Sequence, residues 1–247
     1  MALRILTLNT HKGFSHFNWK FLLPELRDAV RAVSADIVFM QEVLGAHEML
    51  ASRHRETWPE SSHYEFLADS IWPHHAYGKN AVYPKGHHGN ALMSQFPISS
   101  SRNIDVSITK AESRGLLYCR IRRPDGTHKT LHAFCVHLGL LENHRQRQLA
   151  WLCEQVKAVP DAEPVVVAGD FNDWRGKAHK VMKDCGLTDV FEAKYGGPPK
   201  TFPARFPMLR LDRIYVRGVR EHHPVKLPNR PWSRLSDHAP LAAEIVL

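Results

Sequence analysis

Apolar positions in this chain gather in short runs, and several runs stop at an oxygen-bearing side chain. LRILTL (3–8) leads to Asn9, DIVFMQEV (36–43) carries Glu42, and VVVAGDFN (165–172) passes through a glycine to Asp170 and Asn172. Near the other end, LRLDRIYVRG carries Asp212, and HAPLAAEIVL follows the cluster Ser236, Asp237 and His238. Short, nearly continuous apolar runs bounded by polar residues predict strands buried on both faces. NALMS, closed by Pro97, is a further strand, and RGLLYCRIRR and HKTLHAFCVHL flank the turn residues PDGT as a predicted hairpin.

Helical spacing marks KFLLPELRDAVRAV with Pro24 near its start, AHEMLASRHRETW, KAHKVMKDCGL and, most clearly, the amphipathic LLENHRQRQLAWLCEQVKAV. Residues 59–88 read as a long loop around one short strand, YEFLA. Residues 196–210, with Pro198, Pro199, Pro203 and Pro207, read as loop. No linker, repeat or low-complexity segment divides the chain, so residues 1–247 are expected to form a single α/β domain.

Charge narrows the list of partners. Lys and Arg total 33 against 25 Asp and Glu, a net +8, which favours nucleic acid, anionic lipid headgroups or phosphorylated small molecules. The excess is spread along the chain, so a plainly solvated basic surface stays open beside a binding face. Cys119, Cys135, Cys153 and Cys185 form no CxxC pair, which excludes a zinc knuckle and predicts reduced, buried thiols. The 17 histidines include no HExxH. The first residues show no charged leader before an apolar run, and no run approaches the roughly 18 apolar residues of a membrane span. A cytoplasmic monomer is the expectation.

Polar groups at the mouths of apolar strands cost desolvation unless they have partners. Residues i and i+2 of a strand face one way, so Asp170 and Asn172 are expected to share a pocket while Phe171 turns to the core. Carboxylate and amide oxygens without thiolates are hard ligands that suit Mg²⁺, Mn²⁺ or Ca²⁺ better than zinc, with Mg²⁺ or Mn²⁺ the expected cofactor. Taken one at a time, such residues are also turn formers and caps. His137 in CVHLG also fits a satisfied core histidine, and Arg114 a surface ion-pair residue. Asn90 in HHGNALMS fits a strand cap as well as a phosphate donor.

The ordered motifs LNTHKG, QE, SRG, CVHLG, GDFN, LDRIYV and SDHAPL, from Asn9 to His238, resemble the endonuclease/exonuclease/phosphatase superfamily. The resemblance implies a four-layer α/β/β/α sandwich, two mixed sheets face to face with helices outside, DNase I-like. It also implies a metal-dependent phosphoester hydrolase site at one edge. Carried over, Glu42 is the principal metal ligand, helped by Asn9, with Asp237 beside the metal. Asp170 orients or deprotonates the attacking water, Asn172 holds a phosphate oxygen, and Asp212 fixes the His238 imidazole. His137 and Arg114 contact the phosphate or leaving group, with Asn90 as a further candidate. His11 stands where some members carry an acid, and His137 has no identifiable glutamate partner.

Phosphodiester hydrolysis builds negative charge, so it needs a cation, donors and a base for water, and these residues supply them. Three functions remain open at this point. The first is a phosphodiesterase acting on nucleic acid, endonuclease or exonuclease. Next is the same chemistry, or a phosphatase, acting on a phospholipid or small phosphorylated metabolite. Last is a non-catalytic binding protein. The basic, aromatic segments WPHHAYGKNAVYPKGHH (72–88) and PPKTFPARFPMLR (198–210) are the candidate recognition elements.

Overall fold

Alternation along the first strand sorts the chain into layers. In the computed structural model, which describes residues 2–15, 20–122 and 130–247, β1 (Ala2–Asn9) turns Leu3 and Ile5 to one buried cluster and Leu6 and Leu8 to another. It pairs in parallel with β2 (Ile37–His47) and antiparallel with β12 (Leu241–Val246). Adding β3 (His74–Tyr83), β4 (Gly86–Ser94) and β11 (Glu221–Val225) gives one sheet ordered β11-β12-β1-β2-β4-β3.

The second sheet is built the same way. Its strands are β5 (Ile98–Asp105), β6 (Gly115–Arg122), β7 (Thr130–His137), β8 (Val165–Asp170), β9 (Thr188–Asp189) and β10 (Asp212–Arg217), in the order β5-β6-β7-β8-β10-β9. Here β7 and β8 are the parallel pair. Leu3, Ile5, Phe39, Leu92, Leu117, Ala133, Ala168 and Ile214 pack between the sheets. On the outside, α1 (Leu23–Ala32) and α3 (His63–Ala68) cover the first sheet, and α4 (Glu142–Lys157) and α5 (Lys177–Asp184) the second. Each crossover helix, α1 or α4, follows one strand of a parallel pair and leads to the other, and the hydrogen bond from Asn9 at the end of β1 to Asp170 at the end of β8 brings both pairs to the same edge. This is the expected four-layer sandwich, with α2 (Glu48–Arg53), α6 (Glu192–Tyr195) and α7 (Trp232–Leu235) as short additions.

Several elements depart from the sequence expectation. YEFLA is the helix α3: Ser62 Oγ accepts from the Glu65 N–H and the Glu65 carboxylate accepts from the Ser62 N–H, a capping box that a five-residue apolar count overlooks. Residues 74–94 are a strand pair, β3 and β4. Their close approach at Gly89, where a Cβ would lie 1.8 Å from the Gly78 carbonyl oxygen, is made possible by missing side chains that also hide the strand pattern. Asp212 opens β10 instead of ending a strand, because β10 runs antiparallel to β8. Cys153 and Cys185 are joined in a disulfide between α4 and α5, Cα atoms 5.6 Å apart, while Cys119 and Cys135 are free and buried. That bond removes the thiol argument for a reducing compartment. The predicted PDGT turn lies outside the described residues, although β6 and β7 pair as the hairpin required.

Candidate active site

The edge where both parallel pairs end receives Asn9 from β1, His137 from β7, Asp170 from β8 and Asp212 from β10. In register, Asp170 sits between its neighbours His137 and Asp212. Gly169 just before it has φ +148°, and a Cβ there would meet the Val136 carbonyl oxygen at 2.0 Å. The glycine in the GDFN stretch is therefore a condition for delivering Asp170 against β7.

Two further residues arrive by interrupted strand geometry. Gln41 points between the sheets, where its amide donates to Thr7 Oγ1 and Cys135 Sγ, so strict alternation would turn Glu42 toward the helices. Instead Glu42 takes φ +54° at a register break between Met40 and Val43, and its carboxylate lines the cleft. Such a bulge re-aims a side chain at a functional edge. Asn172 likewise has φ +48°, so its place beside Asp170 comes from a left-handed turn and not from the i, i+2 rule of an extended strand.

Around a cleft of about 300 Å³ the side chains form one network. Asp170 Oδ1 accepts the Asn172 backbone N–H at 2.8 Å, and Oδ2 accepts Asn9 Nδ2 at 3.2 Å. The Nε2 atoms of His137 and His238 stand 3.6 and 3.8 Å from that Oδ2. His238 Nδ1 is 2.9 Å from Asp212 Oδ2. Ser236 Oγ donates to the Asn9 carbonyl at 2.7 Å and accepts the His238 N–H, which ties the SDH turn to β1. The Phe202 ring packs 5.0 Å from the His238 ring.

Electrostatics divides the two histidines. Burial, reinforced by Arg114, lowers His137 to about 4, so it is neutral near pH 7. Burial also opposes charge on His238, but Asp212 and Asp170 outweigh it and raise this imidazole to about 10. Desolvation, with Asp212 nearby, pushes Asp170 above the usual carboxylate range against the pull of His238 and His137. Burial works against ionised Glu42 too, yet its cationic surroundings hold it well below that range. With His137 neutral at pH 7, the lasting countercharge is Lys12, whose Nζ is 2.9 Å from Glu42 Oε2.

Not every expected residue reaches the cleft. Arg114 does, its Nε donating to the Leu138 carbonyl and its Nη2 3.4 Å from Glu112 Oε1. Asn90 does not: it is fully buried between the sheets and its amide donates to the Gly115 and Cys135 carbonyls. Asp237 lies at the cleft's flank, 3.1 Å from His11 Nδ1. That pairing gives His11 an acidic partner. Segment 72–88 contributes no lining residue, whereas Phe202 and Leu209 of the second candidate segment do. Sequence reasoning missed Lys12, although it sits within the quoted LNTHKG, and Trp174, 44 % exposed at the mouth and under the Arg145 guanidinium at 4.4 Å.

The donor set fits a hard divalent cation. Glu42 is ionised and already faces a positive charge, and Asn9 lines the same cleft with an amide oxygen that accepts the His11 N–H at 3.0 Å. Asp212 Oδ1 is buried without a partner among the described residues. Asp170 and Asp212 add two further carboxylates beside the cationic His238, and no thiolate lines the cleft.

Known proteins place the chain. It is 59 % identical over 247 residues to "Uncharacterized protein YbhP" of Escherichia coli K12, covering all of this chain and 97 % of that one. A UPF0294 protein of Vibrio cholerae is 30 % identical over 131 residues, 52 % of this chain and 43 % of its own. An endonuclease/exonuclease/phosphatase from Beutenbergia cavernae superposes with TM-score 0.79 at 20 % identity, over all of this chain and 72 % of that one. Humanized Danio rerio TDP2 superposes at 0.72 and 19 % identity, over all of this chain and 99 % of that one. These two share the fold. The family model described as Endonuclease/Exonuclease/phosphatase family matches residues 6–238, so the chain belongs to that family of metal-dependent, phosphoester-hydrolysing enzymes.

Proposed function

We propose that residues 1–247 act as one catalytic domain, a monomeric Mg²⁺- or Mn²⁺-dependent phosphodiesterase in which water attacks phosphorus and the substrate is nucleic acid. The observation that carries the reading is Asp170: a buried carboxylate held by the Asn9 and Asn172 N–H groups, with two histidines within 3.8 Å. A carboxyl raised by burial is a stronger base, suited to orienting and deprotonating the attacking water. Neutral His137 offers an N–H to a phosphoryl oxygen, and Asn172 and Arg114 offer further donors. Cationic His238, its tautomer fixed by Asp212, stabilises charge that builds on the phosphoryl group or leaving oxygen.

Glu42 and Asn9 would hold the divalent ion, with Asp237 at its side. When bound, the ion supplies Lewis-acid stabilisation of phosphoryl charge. The net charge of +8 and the exposed Trp174 beside Arg145 at the cleft mouth favour a polyanion with stacking groups over a lipid surface.

The test is hydrolysis of bis-p-nitrophenyl phosphate, single- and double-stranded DNA, RNA and phospholipid vesicles with Mg²⁺, Mn²⁺ or EDTA, against Asp170→Ala. Metal-dependent cleavage of nucleic acid, absent in the variant, is expected. Cleavage confined to vesicles or to monoesters would overturn the substrate assignment, and full rates in Asp170→Ala would overturn the mechanism.

A further inference from the structure

Past the last turn of α4, the outer face of the second sheet carries another cleft of about 530 Å³, larger than the catalytic one. Strand register builds it in two rows. Ser100 lies opposite Arg120 and Arg120 opposite His132, while Arg102 lies opposite Tyr118 and Tyr118 opposite Phe134. Alternate residues of β5, β6 and β7 thus present six side chains on one face.

Behind the rows runs a relay that no catalytic role uses. Tyr118 Oη is 2.7 Å from His132 Nδ1, and His132 Nε2 is 2.5 Å from Glu163 Oε2. The bond from His132 keeps the Glu163 carboxyl below its usual range, so it accepts and Nε2 carries the hydrogen. Burial keeps His132 neutral near pH 7, so Nδ1 accepts the phenol proton. The direction of every bond is then set, and the phenol is locked in place. Its ring also stacks on Phe134, centroids 4.7 Å apart.

A ring fixed on both sides, half-exposed to the cleft, is a flat surface with little entropy left to lose on binding. Flanking it are the exposed guanidinium groups of Arg102 and Arg120 and the exposed hydroxyls of Ser100 and Ser101. Arg102 has no carboxylate partner among the described residues and meets only Gln155 Oε1, at 2.8 Å. Guanidinium pairs match phosphate geometry, and an aromatic face beside them matches a base.

We propose that this cleft is a second binding site, separate from catalysis, for a phosphate-bearing nucleotide, either free or as one unit of a nucleic-acid strand. Its His132 lies five residues from His137 along β7, about 17 Å at the strand rise. One ligand of this size therefore does not fill both sites, and the proposal stands whichever substrate the catalytic cleft takes.

The test is anisotropy of a short fluorescent single-stranded oligonucleotide in EDTA, with AMP and inorganic phosphate as competitors. Arg102→Gln/Arg120→Gln is compared with Arg53→Gln/Arg55→Gln, which removes the same charge from exposed positions elsewhere. Loss of two charge-assisted contacts is expected to weaken binding by about tenfold or more in the first pair only. Competition by AMP identifies a free nucleotide ligand, and oligonucleotide binding that AMP leaves untouched identifies a strand. Equal loss in both double variants, or none in the first, overturns the site. Tyr118→Leu separates base from phosphate: it is expected to weaken the oligonucleotide, and AMP where AMP competes, while sparing inorganic phosphate, and oligonucleotide affinity unchanged in this variant overturns the nucleotide assignment.

Discussion

Two histidine–carboxylate pairs, one at the catalytic edge and one on the outer face of the second sheet, end in opposite charge states. At the catalytic edge His238 lies 2.9 Å from Asp212 and is raised to about 10. On the outer face His132 lies 2.5 Å from Glu163 and is lowered. The shorter contact therefore does not make the cation. Both rings are desolvated, but His238 also faces Asp170 and Asp237, whereas His132 faces Arg120 and Arg217. The surrounding charge, more than the pair itself, decides which histidine works as a charged group and which as a fixed hydrogen-bond link.

The comparison breaks most sharply in catalysis. Asp212→Asn and His238→Gln are expected to lower kcat on bis-p-nitrophenyl phosphate by roughly 10²–10³-fold, the range for removing one group that stabilises developing charge. Rates within twofold of wild type in both would remove the dyad from the mechanism.

Stability against pH should run in opposite directions at the two pairs. His238, raised from 6.5 to about 10, contributes stability that is complete below pH 6.5 and is lost as pH rises toward 10. In EDTA the stability difference between wild type and His238→Gln should shrink across that window, by up to ~1.4 kcal/mol per pH unit. His132 is lowered, so acid below pH 6.5 protonates the unfolded chain in preference to the folded one, and stability falls there. Glu163 adds to the same loss, because its contribution is present above pH 4.5 and disappears as pH falls through its lowered value. Urea midpoints against pH for wild type, His238→Gln and His132→Gln measure both slopes; parallel curves for all three proteins would erase the distinction.

Removing the acid from the outer pair gives a smaller effect. Glu163→Gln replaces a charge-assisted bond by a neutral one and is expected to cost about 1–3 kcal/mol in denaturant unfolding.

The smallest effect tests the countercharge at Glu42. Lys12→Met leaves that carboxylate without its ammonium partner, so Mn²⁺ should bind roughly tenfold tighter by calorimetry without substrate, a change of about 1.4 kcal/mol. Weaker Mn²⁺ binding would instead make Lys12 a support for the ion's ligands.

Much of the site was legible because strands buried on both faces leave few reasons for an acid at their ends. Asn9, Asp170 and Asp212 stood out for that reason, and each reaches the cleft through ordinary strand alternation. Asn90 showed the same pattern, but only the packing of two sheets reveals that backbone carbonyls use its donors. The helix at YEFLA was concealed by its shortness, and the Cys153–Cys185 bond by a sequence separation of 32.

By itself, then, the sequence determined the main buried strands and the longer helices, the apolar character of the strands, and which chemical groups stand at strand ends. Those follow from local periodicity and from the cost of burying unpaired polar atoms. Tertiary structure alone decided that Glu42 turns inward at a bulge, that Lys12 meets it, and that His238 is cationic while His132 is neutral. Each depends on charges and backbone brought together from distant parts of the chain, and neither distance nor burial is written in a local pattern.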